Sequence, residues 1–305
     1  MEVTEFNYIL VERGDRVAIQ GDGHPTMAAA LVAFGSEDTF ALIHKMLNQT
    51  NSGHVHGHRV VDDEIMAYPI YWTMSVMDWF WASGNIQGFR ELVSNIRSIV
   101  DTRIADFLDS KLDIGWMGWD DRLGNGWYYH SNSDACPREA HITFAALIVR
   151  ACQYLARSLT IAGMIDESNK YQAIYQNLIR QFRQRIPELA HGRLGVHAAA
   201  NVISTGIANQ TEVDYMIHEL MNGSVTICSW SPFNQYWILQ ALGASVYSTV
   251  LGANAEAGKG MLLGIERTRL AYVSKRRRQS AKHGIVMSSL VVECNGVAIS
   301  RAWGH

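Results

Sequence analysis

Residues 67–84 read AYPIYWTMSVMDWFWASG, an aromatic and apolar stretch that decides the fold. Its length of 18 residues is close to that of a membrane span. It contains Pro69 near its start and Asp78 in its interior, however, and a charged pattern with helical spacing follows it. We therefore interpret this stretch as a helix buried in a protein core, and we expect Trp79 and Phe80 to pack there.

The chain on both sides of this stretch has helical apolar spacing wherever the spacing is regular. Pro25 suits the first turn of a helix, and Gly35 suits its end. The further predicted helices cover residues 37–49, 63–83, 86–110, 138–163, 166–186, 194–207, 212–221 and 232–242. Paired helices of this kind stack as an open solenoid or close as a toroid. Since no fixed-period repeat is visible, we predict an all-α toroid of helical hairpins.

Composition limits the classes of function. With 48% hydrophobic and 18% charged residues, the chain is predicted to be globular. A net charge of −3 argues against nucleic acid or an anionic membrane as a partner. The four cysteines form no C-x-x-C pair, and the N-terminal segment has no apolar core of a secretory signal. We expect a cytoplasmic protein with free thiols.

The last segment differs in character from the rest. Residues 275–278 read KRRR, and two short strand-like stretches follow at residues 284–294 and 296–303. A basic run of this kind is typical of a solvated surface. We predict a toroid domain over residues 1–260 and a poorly ordered, basic, divergent tail over residues 261–305.

The first candidate site lies just before the first predicted helix. It holds Asp15, Arg16, Asp22 and His24 within ten residues of the chain. Read by itself, Asp22 is better explained as an N-terminal cap or as an anion near the helix dipole.

The second candidate site is the glycine-rich loop WMGWDDRLG at residues 116–124. Exposed tryptophans cost solubility, so we expect this loop to face a pocket. Tryptophan faces stack on sugars, whereas carboxylates bind hydroxyls or donate protons. The alternative is a surface ion pair between Arg122 and a neighbouring aspartate. Glu139 is then a third acid at the same pocket or a complement to a helix dipole, and Trp72 is a pocket candidate because it lies near a loop. The loop residues singled out are Trp119, Asp120 and Asp121.

No cofactor or metal is expected. His54, His56 and His58 alternate in a loop without a strand signal and without matching cysteines. The sequence also contains no P-loop, G-x-G-x-x-G or G-x-S-x-G motif.

Several of these stretches together resemble the catalytic domain of α-L-rhamnosidases, which are six-hairpin glycosidases. GDRVAIQGDGHPTMAAALVAFG is similar to their opening D-R-x-x-W-x-G-D motif with its helix, and residues 68–85 are similar to their aromatic helix. GWDDRLGNGW resembles an acidic loop of a fungal-looking branch, and LGVHAAANVIS and SPFNQYWILQALG resemble later helices. The order and spacing agree over residues 13–243. The resemblance implies an (α/α)6 toroid, which is incomplete here because about ten helices are predicted instead of twelve.

The resemblance also implies an inverting glycosidase that acts on a small-molecule glycoside or an oligosaccharide. Inverting enzymes use two carboxyl groups about 6.5–9.5 Å apart. We expect Asp22 to form this catalytic pair with Asp120 or Asp121. The residues expected to bind or orient the sugar are Asp15, Arg16, His24, Trp72, Trp119 and Glu139.

Two alternatives keep the fold and change the activity. An acid in an aromatic pocket can also protonate an alkene, as in a biosynthetic cyclase or isomerase. The general acid and general base glutamates of the family have no clear counterparts, which favours a catalytically inactive remnant. An unclosed ring would expose apolar helix faces, which favours either a homodimer or aggregation.

Overall fold

The computed structural model describes residues 24–25, 27–31, 35–36, 39–40, 43, 67–109, 135–191, 194–222 and 236–243. These residues belong to one compact unit, apart from Met221 and Asn222. Within the described part of the chain, every regular element is a helix, which confirms the all-α prediction. The predicted tail and domain boundary lie outside the described residues.

Six α-helices and one 3-10 helix are complete enough to name. They are α1 (Tyr68–Ser83), α2 (Ile86–Leu108), α3 (Ala135–Ile161), α4 (Ile165–Arg185), the 3-10 helix Pro187–His191, α5 (Val196–Ser204) and α6 (Gln210–Asn222). Residues 24–25, 27–31, 39–40, 43 and 236–243 are also helical. All of these residues fall within or beside helices that the apolar spacing predicted.

Strongly buried helices alternate with amphipathic ones along the chain. In α1, 12 of 16 residues are buried, and in α5 the number is 8 of 9. In α2 only 8 of 23 residues are buried, and in α4 only 5 of 21. The long helix α3 contacts α1, α2, α4 and α5, so it occupies the centre of the described helices. This alternation gives an inner set of helices (α1, α3 and α5) covered by α2 and α4.

Tight turns join each inner helix to the helix that follows it. Gly84 ends α1 at φ +65°, where its N–H donates to the Phe80 carbonyl oxygen over 2.9 Å. The side chain of Asn85 then caps α2 by accepting from the Gly88 N–H. Gly163 takes φ +76° between α3 and α4. A left-handed residue at the helix end lets the chain reverse within a few residues, which makes a helical hairpin.

The interior confirms the prediction that α1 is a buried helix. Phe80 is fully buried, and the buried Trp79 donates its indole N–H to the Ser36 carbonyl oxygen while its ring stacks on Phe40. The part of α3 from Arg138 to Ile161 is long and apolar enough to cross a membrane, but 83% of an apolar 18-residue segment within it is buried inside the protein. Such burial is what a central core helix requires. Cys152 on α3 is a buried free thiol, as predicted.

Candidate functional site

Three of the predicted site residues fall in the described part of the chain: His24, Trp72 and Glu139. The others lie outside the described residues, as do the three loop histidines, and their roles stay predictions. Those outside are Asp15, Arg16, Asp22, Trp119, Asp120, Asp121, His54, His56 and His58.

His24 forms a pair with an acid of α1. Its Nε2 lies 2.8 Å from Oδ2 of Asp78, a residue 54 positions away in the chain. The His24 side chain is 1% exposed and the Asp78 side chain is 21% exposed. The first helical stretch is therefore fixed to the inner helix α1 by a hydrogen bond that is largely shielded from water.

Aromatic rings surround His24. The Trp237 ring stacks on it with centroids 5.0 Å apart, and the Tyr71 ring is nearly parallel at 6.2 Å. Tyr236 approaches edge-on at 5.7 Å. These contacts bring together residues from the first helical stretch, from α1 and from residues 236–243.

Arg150 on α3 lies against the same aromatic group. Its guanidinium carbon is 4.9 Å from the centroid of the Trp237 ring and 5.1 Å from that of Tyr154. Nη2 donates to the Tyr154 hydroxyl over 2.8 Å and to Oε1 of Gln240 over 2.6 Å. Arg150 is only 4% exposed. We call the set His24, Asp78, Arg150, Tyr154, Tyr236, Trp237 and Gln240 the Arg150 cluster.

Tyr236 connects the two charged residues of this cluster. Burial, and next the charge of Asp78, raise the pKa of Tyr236, whereas the charge of Arg150 and the hydrogen bond from Gln240 lower it. The net direction is upward, so the phenol keeps its proton at neutral pH. Gln240 donates from Nε2 to the Tyr236 oxygen over 2.6 Å. The cluster thus combines an acid, a cation, an amide and neutral hydroxyls.

Glu139 occupies a second buried position, near the start of α3. Its Oε1 accepts a hydrogen bond from the backbone N–H of His197 over 2.8 Å, and the N–H of Ala198 also bonds to the carboxyl group. Burial raises the pKa of Glu139 to about 8, although these two backbone bonds lower it. The carboxyl group lies so close to Gly195 that a Cβ there would overlap it.

The Glu139 carboxyl therefore lies at the N-terminus of α5, and not at that of its own helix α3. The helix N-terminus attracts a negative charge, yet burial is the larger effect and keeps the group protonated at pH 7. Its Oε2 has no hydrogen-bond partner within the described structure. A role for Glu139 as a sugar-binding acid stays a prediction.

Trp72 is fully buried, and its indole N–H donates to the Ile43 carbonyl oxygen over 3.1 Å. This bond holds the ring inside the packing between α1 and the helical residues near position 43. Its predicted role in sugar binding stays a prediction.

The sequence reasoning did not identify the main members of the Arg150 cluster as site residues. In the sequence, Asp78 is evident only as a charge that argues against a membrane span, and Arg150 lies in the apolar stretch FAALIVRACQYL at residues 144–155. A single charged residue inside an otherwise apolar helix was the signal that could have identified both. Among the described residues, no group of three or more His, Cys, Asp or Glu side chains could hold a metal ion.

Comparisons with protein-family models, with curated proteins and with solved structures give no match to this chain.

Proposed function

We propose that the chain is an α/α-toroid glycoside hydrolase, similar to α-L-rhamnosidases, that cleaves a terminal sugar with inversion. One observation carries the proposal. His24 from the first described helical stretch stacks on Trp237 from the last one, in a cluster that also holds an acid and an arginine.

This contact favours a closed ring over an open solenoid. In a solenoid each repeat touches only its neighbours, so the first and last repeats are far apart. Here His24 and Trp237 touch each other, and both lie against Tyr71 of α1. The alternation of buried inner helices with amphipathic outer helices is also what a toroid of hairpins requires.

The chemistry of the buried side chains favours a sugar over a terpenoid or polyketide. A carbocation cyclase needs a pocket that is nearly all apolar, since polar groups would capture the cation. The Arg150 cluster instead presents amide, hydroxyl and carboxylate groups, which form hydrogen bonds with sugar hydroxyls. These groups support the hydrolase over the cyclase.

In the proposed reaction, one carboxyl group protonates the leaving oxygen and a second carboxylate removes a proton from the attacking water. We assign this pair to Asp22 together with Asp120 or Asp121. Asp22 precedes His24 by two residues in the sequence. Because His24 is anchored to Asp78, it is a positioning residue for the segment that carries this acid.

The test is a panel of aryl glycosides, α-L-rhamnoside included, with wild type and the variants Asp22→Asn, Asp120→Asn and Asp121→Asn. We expect kcat to fall by about 10²-fold or more when an acid–base group is removed. Asp166→Asn, which changes an exposed aspartate of α4, is the matched control and should keep full activity. If folded wild type hydrolyses none of the glycosides, the proposal is wrong and the inactive-remnant reading takes its place.

A further inference from the structure

Arg150, the most buried arginine of the described residues, forms no ion pair with an acid of those residues. Some more exposed arginines pair with carboxylates, as Arg97 does with Glu167 at 2.8 Å and Arg183 with Glu212. Others contact backbone carbonyl oxygens or an aromatic ring, as Arg90, Arg185 and Arg157 do. Even Arg103, at 8% exposure, bonds to Asp106 over 2.9 Å. For Arg150, at 4% exposure, no carboxylate of the described residues lies within ion-pair distance.

The guanidinium of Arg150 also keeps unused donors. An arginine has five N–H donors, and the two contacts of Nη2 use two of them. Nε and Nη1 are buried and have no hydrogen-bond partner in the described structure. The faces of Trp237 and Tyr154 stabilise the cation, but they satisfy none of these donors.

A buried cation without a counter-charge is costly, because the low-dielectric interior replaces its hydration shell. Asp78 is the acid of the cluster, and its charge and that of Arg150 both act on Tyr236. Its carboxylate is bonded to His24, however, and does not reach the guanidinium. The counter-charge therefore has to come from elsewhere.

The polar neighbours of Arg150 are less buried than Arg150 itself. Asp78, Tyr154, Tyr236 and Gln240 are all partly exposed, whereas Arg150 is buried. A ligand that reaches the guanidinium between these side chains meets hydroxyl and amide groups on the way, which suits a sugar ring that carries an acid.

We propose that Arg150 binds the carboxylate of the substrate, so that the sugar cleaved is a uronic acid. The inference rests on the proposed function, since the ligand is taken to be a glycoside. One cation is balanced by one carboxylate, whereas a phosphate dianion would add a surplus negative charge close to Asp78. The free Nε–H and Nη1–H groups can each donate a single charge-assisted hydrogen bond to a carboxylate oxygen, because the two donors of Nη2 are used by Tyr154 and Gln240.

The first experiment needs no variant. Binding of D-glucuronate and D-galacturonate to the full chain is measured by titration calorimetry, beside their methyl esters, which differ only in the missing charge. We expect each acid to bind at least tenfold more tightly than its ester. Glucose 6-phosphate and glucose 6-sulfate are titrated alongside, and both are expected to bind more weakly than the uronates.

The second experiment replaces Arg150. Arg150→Gln should lose the preference for acid over ester, and Arg150→Lys, which keeps the charge but not the fork of donors, should retain part of it. Arg183→Gln removes a surface arginine of α4 and is the matched control, with the preference unchanged. Circular dichroism establishes which variants are folded, and the acid–ester comparison in wild type decides the question if Arg150→Gln does not fold.

The outcomes separate the two proposals. Equal binding of acids and esters overturns the carboxylate site, even if the chain hydrolyses neutral glycosides. Tighter binding of the phosphate or sulfate sugar also overturns it. A clear preference for the uronates without hydrolysis of any uronide keeps the Arg150 site and refutes the hydrolase.

Discussion

Replacing Glu139 by glutamine should make the protein more stable at alkaline pH. The carboxyl group is 3% exposed, and burial raises its pKa from the ordinary 4.5 to about 8. Glutamine has the same shape, and its carbonyl oxygen can still accept the hydrogen bond from the His197 N–H. It differs in that it never ionises, so Glu139→Gln removes the cost of a buried charge and keeps the contact.

The size of the effect follows from linkage between proton binding and folding. Between pH 4.5 and pH 8 the unfolded chain loses the Glu139 proton while the folded chain keeps it, so stability falls as pH rises. Each pKa unit corresponds to about 1.4 kcal/mol, which gives a total loss of about 5 kcal/mol across this range. Below pH 4.5 both states are protonated and the loss is absent. The glutamine variant does not undergo this loss.

The assay is urea unfolding followed by circular dichroism at about pH 5 and about pH 8.5. The free energy of unfolding of Glu139→Gln minus that of wild type should rise by about 4 kcal/mol between these pH values. Taking this difference cancels the titration of all other groups. If Glu139 were ionised as a simple cap of α5, the variant would instead be less stable by about 1 kcal/mol at both pH values, and the reasoning would be refuted.

Glu188→Gln is the matched control. The hydrogen bond from Arg138 is the main cause that lowers the pKa of Glu188 below its ordinary value of 4.5. The stability that the ionised Glu188 contributes is therefore lost only as the pH falls below 4.5. Since the Arg138–Glu188 pair is partly exposed, the free energy of unfolding of the variant should be lower than that of wild type by at most about 1 kcal/mol. This difference should be the same at about pH 5 and at about pH 8.5.

Three further predictions concern the packing, and one of them includes an exposed control variant. Gly195→Ala should lower the free energy of unfolding by about 1–3 kcal/mol, because the new Cβ overlaps the Glu139 carboxyl. Urea unfolding should show a smaller decrease when Glu139 is also replaced by alanine. Phe182→Ala empties a fully buried site of α4 and should cost about 3–5 kcal/mol, whereas Ile161→Ala, at 48% exposure, should stay within about 0.5 kcal/mol in the same assay. Trp72→Phe removes a buried indole hydrogen bond and should lower stability by about 1–3 kcal/mol in thermal or urea unfolding.

The helices were predictable because their signals are local. Apolar residues three and four apart mark the buried face of α2 and α4, and this spacing can be counted in the sequence. The glycines at positions 84 and 163 mark the ends of α1 and α3 in the same direct way, since glycine adopts the left-handed conformation that commonly ends a helix. The predicted ends of α4 each differ from the observed ones by one residue.

The candidate site was not predictable in the same way, because its members meet only through tertiary packing. Asp78 is 54 residues from His24, and Gln240 is 90 residues from Arg150. Glu139 caps a helix 58 residues further along the chain. No spacing rule connects such positions, so the sequence could mark each residue as unusual but could not place them together.

Glu139 and Arg150 are two ionisable groups on the central helix α3, and both are buried without a counter-charge among the described residues. The physical problem is the same for each, because an unpaired charge is costly in the protein interior. They are eleven residues apart in the sequence, so at a rise of about 1.5 Å per residue they lie about 16 Å apart along α3 and cannot neutralise each other. A carboxyl group solves the problem alone, because it can keep its proton, and the raised pKa of Glu139 shows that solution. A guanidinium has no such route, because it stays charged under all conditions in which proteins fold. A buried acid on an inner helix is thus compatible with a purely structural role, whereas a buried arginine with unused donors needs an anion.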